Sequence, residues 1–226
     1  MSPVACTLLV VAKAPVPGLA KTRLAEIYGP TAAAALAAAA LLDTLLAVEA
    51  TPVSGRVVAL TGDLADAQRS EELQALLGHF TVIPQRGATF GDRLAAAHED
   101  AQELVPGPVL QIGMDTPQVS PDALTRAATR LVQPDVDAVF GPATDGGWWA
   151  LGLATAGHAG FLAGIAMSQP DTGAATLTAL RAMLESVELL PMLTDVDTAD
   201  DVEEVAGGLA VDSHFRRAVE ERRITG

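Results

Sequence analysis

Asp115 closes the stretch VLQIGMDTP (residues 109–117), in which an apolar run that reads as a buried strand breaks off at Gly113. In an open α/β sheet this puts a carboxylate at the carboxyl edge, where such sheets take their ligands. A carboxylate there is solvated enough to stay ionised and fixed enough to hold a divalent cation against a phosphate. Two more strand-like runs end in acids: DAVFGPATDGG reaches Asp145, and LLPMLTDVDT reaches Asp195 and Asp197. Together these residues suggest a metal–phosphate site. Asp195 and Asp197 lie two residues apart, so in extended chain they point to the same side. The run also continues through Thr198 to Asp200 and Asp201, which suits a helix N-terminus, where negative charge is stabilised. The roles are compatible, with Asp197 on a metal and Asp200 and Asp201 at the helix end.

Anion-binding groups follow the first apolar run, in the loop PVPGLAKTR (residues 15–23). Pro17-Gly18 makes a turn that brings backbone close to a ligand, and Lys21, Thr22 and Arg23 supply donors, Arg23 with a fork suited to phosphate. A Walker A reading of Ala20-Lys21-Thr22 fails, because Pro15 and Ala20 stand where that motif needs glycine. Lys13, Lys21 and Arg23 stand out in a chain of formal net charge −14, a balance that argues against nucleic acid and anionic membrane surfaces as partners. Asp145-Gly146-Gly147-Trp148-Trp149 joins an acid, two flexible residues and two aromatics. One tryptophan is expected to face the core and the other the opposite side, where a ring could stack on a sugar or base. The four histidines are dispersed without zinc spacing, and no G-x-S-x-G elbow is present. Asp195-Val-Asp197-Thr198 resembles a phosphatase D-x-D-x-T motif, but it closes the last strand rather than following the first.

The elements that must position these groups alternate regularly. Strands are expected at residues 6–14, 56–60, 80–85, 109–115, 137–143, 148–154 and 187–193. Helices are expected at 31–50 (Thr31 as cap), 66–77, 90–104, 121–131 (behind Ser120 and with Pro121 first), 172–186 and 198–206. This spacing implies crossover connections and a mostly parallel sheet, with a late hairpin through residues 144–147, in one domain spanning 1–226. Half of the 226 residues are hydrophobic, enough for a sizeable core. Residues 32–48 are apolar enough to raise the question of a membrane span, but they are alanine-rich and contain Asp43, so a buried helix and no membrane insertion are expected. A single cysteine, Cys6, and the lack of a signal-peptide pattern fit a cytoplasmic protein.

Five ordered motifs resemble one known family: residues 13–24 (KAPVPGLAKTRL), Gln85-Arg86-Gly87 with Gly91-Asp92-Arg93, Gly113-Met114-Asp115-Thr116-Pro117, Gly141-Pro142 with Asp145-Gly146-Gly147, and residues 195–201 (DVDTADD). They are similar to DUF2064, a family of small bacterial transferases associated with rSAM/selenodomain proteins and including members named as arsenosugar-biosynthesis glycosyltransferases. The resemblance implies the GT-A fold of nucleotide-diphosphosugar transferases, a three-layer α/β/α sandwich. The Ala20–Leu24 loop and the Asp-x-Asp-Thr close are also similar to those of phospholactate and phosphoenolpyruvate guanylyltransferases. By this similarity Lys13, Pro17, Gly18, Lys21, Thr22, Arg23, Arg86 and Arg93 meet the nucleotide phosphates. Asp115, with Asp197 or Asp195, holds Mg²⁺ or Mn²⁺, and Asp145, Gly146, Gly147 and Trp148 face the acceptor. Trp148-Trp149 replaces the tyrosines common in the family, and Ala199 a common proline.

Two reactions fit. In glycosyl transfer from a nucleoside-diphosphate donor to a small acceptor, metal and cations stabilise the leaving diphosphate and Asp145 orients or deprotonates the acceptor hydroxyl. In nucleotidyl transfer an NTP joins a phosphorylated small molecule and pyrophosphate leaves. A non-catalytic nucleotide-binding domain is the third reading. A homodimer is compatible with the sequence.

Overall fold

The computed structural model describes residues 2–225. Its sheet has seven strands: β1 (Val4–Lys13), β2 (Val53–Thr61), β3 (Thr81–Pro84), β4 (Val109–Ile112), β5 (Ala138–Pro142), β6 (Trp148–Leu153) and β7 (Val187–Leu189), in the order β3-β2-β1-β4-β6-β5-β7. All pairings are parallel except those of β6, which runs against both β4 and β5. The expected mostly parallel sheet with one late hairpin is therefore present.

Alternation along the strands explains the two buried faces. Leu8, Val10 and Ile112 point to the face covered by α2 (Pro30–Ala50), α3 (Ser70–Leu77) and α5 (Pro121–Leu131). Leu9, Val11 and Leu151 point to the face covered by α4 (Phe90–Leu104) and α6 (Thr172–Met183). The connection from β3 to β4 passes through α4 and thus changes face, so β1 and β4 part at their carboxyl ends. That crevice is where open α/β sheets bind ligands.

A third cluster lies at the sheet end. Leu24 of α1 (Thr22–Tyr28), Leu36, Val196, Val202 of α7 (Ala199–Gly208), and Phe215 and Val219 of α8 (His214–Thr225) pack together. Leu24 and Val196 are the useful pair. Their burial pins the loop carrying Lys21 and Arg23 beside the segment carrying Asp195 and Asp197.

Helix α2 is a core helix: thirteen of its residues are buried. Asp43, its one central acid, accepts hydrogen bonds from Ser213 Oγ (2.7 Å), His214 N (2.9 Å) and Phe215 N (2.9 Å), so it caps α8 from outside. The cap of α2 itself is Gly29 at φ +80°, not Thr31. Pro30 takes the first helical position, to which its fixed φ is suited. Helices α1 and α8 and the 3-10 segment Ala156–Gly164 were not expected from the sequence. The last strand is shorter than expected. It ends at Leu189, and among the described residues a single bridge, Ala143 to Leu193, continues it. Cys6 is buried in β1, where desolvation pushes its thiol up to about 12 and leaves it unreactive.

Candidate active site

Strand β4 ends at Ile112, and the chain leaves the sheet through Gly113, whose N–H donates to the Trp149 carbonyl at 3.2 Å. A Cβ on Gly113 would lie 2.8 Å from Asp115 Oδ1, so glycine lets that carboxylate fold back over the strand end. The Asp115 carbonyl then accepts from Val196 N at 2.9 Å, which ties the two acidic segments together. Leu193 N donates to the Pro142 carbonyl (3.2 Å) and Thr144 N to the Leu193 carbonyl (3.0 Å), drawing in the hairpin turn that bears Asp145. Four backbone bonds thus gather acids from three distant stretches of chain.

Lys21 reaches into this group. Its Nζ lies 2.7 Å from Asp115 Oδ2 and 3.3 Å from Asp197 Oδ1, while Arg23 Nη1 donates to Asp197 Oδ2 at 2.5 Å. Burial works against the Lys21 charge, but attraction to Asp115 and Asp197 outweighs it and holds the ammonium above the ordinary lysine pKa. Asp195 has the opposite balance. Burial first, then the neighbouring Asp115 and Asp145 charges, push its carboxyl up to about 6, with Lys21 only partly offsetting them. Its Oδ1 is buried without a hydrogen-bond partner.

The helix-end role of the acidic run is also real. Thr198 and Asp201 form a capping box at α7, and Asp201 Oδ2 accepts from the backbone N–H of Asp197 and Thr198. The two functions divide along the chain, Asp200 and Asp201 in the first turn of α7 and Asp195 and Asp197 at the cavity.

That cavity, about 640 Å³, opens at the carboxyl ends of β1 and β4, a size typical of small-ligand sites. Asp115, Asp145, Asp195 and Asp197 line one wall, and Lys13, Arg23 and Arg93 add positive charge. Gly147 and Trp148 lie at the rim of the same cavity. The tryptophans divide as expected. Trp149 is buried, donates from Nε1 to the Pro191 carbonyl at 3.0 Å and packs over Gly141, whereas half-buried Trp148 tilts against Phe140 with ring centroids 6.5 Å apart. Asp145 holds its turn through Gly147 N at 2.7 Å, and Gly146, at φ +89°, packs so closely on Pro170 that no side chain fits.

Some expected residues are not gathered. Arg86 points away, paired with Asp100 at 2.7 Å and with Glu99 on α4, and does not line the cavity. It sits just past the end of β3, at the sheet edge, where the acidic outer face of α4 is nearer than the crevice. Pro17, Gly18, Lys21 and Thr22 do not line the cavity; of that loop only Arg23 does, while Lys21 is ion-paired to the lining residues Asp115 and Asp197. Arg93, by contrast, lines the cavity with its guanidinium 5.6 Å from the Phe90 ring and its Nε buried and unpartnered.

Several lining residues, the segment 167–170 among them, escaped sequence reasoning, and two of them carry buried or bonded amides. Gln85 donates to the Ala12 and Ala59 carbonyls at 2.8 and 3.0 Å, tying the ends of β1 and β2. Gln111, 2% exposed in the middle of β4, leaves its Oε1 unpartnered. A glutamine inside the apolar run VLQI was the signal available for it, since a buried amide needs a partner.

The donor set fits a divalent cation completed by phosphate. Among the described residues no three His, Cys, Asp or Glu side chains are arranged to hold a metal by themselves. Mg²⁺ sites commonly use one or two carboxylates and take the remaining ligands from phosphates and water. The cation already seated between Asp115 and Asp197 is the Lys21 ammonium, and the unpartnered Asp195 oxygen is a further donor.

A family model described as "Uncharacterized protein conserved in bacteria (DUF2064)" matches residues 44–169. No curated protein matches the chain. Among solved structures, a protein of Desulfovibrio desulfuricans G20 provisionally assigned as a nucleotide-diphospho-sugar transferase is 26% identical. It aligns over 99% of this chain and 96% of its own, with a TM-score of 0.83. CMP:2-keto-3-deoxy-manno-octonic acid synthetase complexed with CTP is 12% identical over 89% of this chain and 96% of its own, with a TM-score of 0.53. Rv0371c of Mycobacterium tuberculosis H37Rv, in complex with manganese, is 19% identical over 91% of this chain and all of its own, with a TM-score of 0.52. The three-layer sandwich expected for the GT-A class is thus the fold of these relatives.

Proposed function

The chain belongs to the DUF2064 family, and from that premise we propose that it is a metal-dependent transferase acting on a nucleotide or nucleotide sugar. The reaction we favour is glycosyl transfer from a nucleoside-diphosphate donor to a small acceptor. The observation that carries the reading is the convergence of Asp115, Asp195 and Asp197 with Lys21 and Arg23 at one end of the crevice between β1 and β4.

Asp115 with Asp197 or Asp195 would hold Mg²⁺ or Mn²⁺, which neutralises phosphate charge when bound. Lys21 and Arg23 then exchange carboxylate oxygens for phosphate oxygens, and Lys13 adds a third positive charge at the β1 end. These cations stabilise the charge that grows on the diphosphate as its bond to the sugar breaks, and the acceptor oxygen forms the new bond. Asp145 orients the acceptor hydroxyl or takes its proton. Gly147 and half-buried Trp148, which line the cavity, would give the acceptor a wall that is partly apolar, whereas Gly146 is packed against Pro170 and does not line it. Arg93, with no carboxylate partner, offers its guanidinium to an anionic or carbonyl group of the ligand.

Nucleotidyl transfer is the second reading, favoured by the same Lys21–Arg23 pair, which would hold NTP phosphates equally well. Products separate the two reactions. Incubation with nucleotide sugars and with NTPs, Mg²⁺ or Mn²⁺ and candidate acceptors yields nucleoside diphosphate in the first case and pyrophosphate in the second. Ligand-induced thermal stabilisation without either product would leave a binding domain.

A further inference from the structure

Lys21 sits where a metal–phosphate complex would have to dock. Its ammonium bridges Asp115 Oδ2 at 2.7 Å and Asp197 Oδ1 at 3.3 Å, and Arg23 holds the remaining Asp197 oxygen at 2.5 Å. The backbone is unusual at the same residue. Lys21 lies at φ +47°, ψ +55°, just before the first turn of α1, in a left-handed conformation that residues with a Cβ seldom adopt. No side-chain hydrogen bond caps α1 there.

The placement has a consequence for cations. A bare divalent ion approaching Asp115 and Asp197 meets an ammonium that is only 11% exposed and already shares both carboxylates. Like charges a few ångströms apart repel strongly in such a partly desolvated site. An ion that expels Lys21 also leaves the ammonium without a partner. A phosphate alters both terms, because its oxygens give Lys21 and Arg23 new charge-assisted bonds while the metal takes the carboxylates.

We propose that Lys21 is a resident counter-ion that bars free divalent cations from Asp115 and Asp197, so that the site takes its metal only together with a phosphate-bearing ligand. This rests on the transferase reading above and makes Lys21 the residue that selects the metal–phosphate complex over the free cation. Asp195, bonded by neither cation, keeps its free oxygen for the incoming complex.

Mn²⁺ binding to the full chain, followed by EPR of the free ion, tests this. Without nucleotide, Lys21→Met and Lys21→Gln should each bind Mn²⁺ at least about tenfold more tightly than wild type, and Asp115→Asn in the Lys21→Met background should abolish the gain. Thermal melts give a second readout. Mn²⁺ alone should raise the Tm of both variants, including a variant that loss of the ion pair leaves poorly folded, and should leave the wild-type Tm unmoved. Equal Mn²⁺ affinity in wild type and both variants overturns the role of Lys21. The transferase reading is separable. It survives that result if wild type still binds Mn²⁺ with CTP, GTP, UDP-glucose or GDP-mannose, and it falls together with the Lys21 proposal if no protein binds Mn²⁺ under any of these conditions.

Discussion

His98 is fully buried on α4, and neither ring nitrogen has a hydrogen-bond partner. Burial alone drives its pKa from 6.5 down to about 3. The unfolded chain takes up this proton as pH falls through about 6.5, whereas the folded chain refuses it until about pH 3. The stability that neutral His98 contributes is therefore whole above pH 6.5 and is lost progressively between 6.5 and 3. Each pH unit well inside that window costs about 1.4 kcal/mol, so about 2 kcal/mol is gone at pH 5 and about 4 kcal/mol at pH 3. Other groups titrate over the same range, so the assay is a difference: urea unfolding of wild type and His98→Leu at pH 7 and at pH 5. The leucine variant should lose about 2 kcal/mol less between the two pH values. At pH 7 it should be no less stable than wild type, because it removes two unpaired polar atoms at similar volume. Equal losses in the two proteins would refute the reasoning, since they would mean that the folded state protonates His98 as readily as the unfolded chain.

Three further substitutions separate structural from ligand-facing charges. Asp43→Ala removes three hydrogen bonds to the start of α8 and should cost about 2–4 kcal/mol in urea unfolding, well above a surface substitution. A loss under about 0.5 kcal/mol would mean that the cap does not hold α8. Arg93→Ala should weaken binding of a nucleotide or nucleotide sugar by about tenfold or more in calorimetric titration, whereas Arg86→Ala should leave it within about twofold, because Arg86 is engaged by Asp100 outside the cavity. The reverse ranking would show that the arginines have been assigned to the wrong roles.

The site was legible where local chemistry and local structure coincide. Asp115 ends an apolar run, and Asp195 and Asp197 follow another, so their sheet-edge position could be read directly. The hairpin at Asp145-Gly146-Gly147 was equally plain, because paired glycines between two apolar runs mark a turn. Arg86 and Arg93 could not be told apart this way. They share a type and a motif, and only the path from β3 into α4 sends one outward to Asp100 and the other into the cavity. The left-handed conformation of Lys21 leaves no trace in composition. Helix α8 was missed because HFRRAVEERRIT offers Phe215, Val219 and the small, half-buried Ala218 to the core, too few large apolar positions to register as periodic. AGHAGFLAG reads as loop, and in the fold it is a 3-10 segment packed against α4. Thr31 looked a better cap than Gly29 by side chain, but Pro30 at the first helical position settled the boundary instead.

The central claim is that Asp115 helps hold a divalent cation on a bound nucleotide. Its most direct test is calorimetric titration of wild type and Asp115→Asn with nucleotides and nucleotide sugars, each with Mn²⁺ and with EDTA. Binding by wild type that requires Mn²⁺, and its loss in a folded Asp115→Asn protein, is the predicted result. Ligand binding of equal strength in the variant, or in EDTA, would contradict the account.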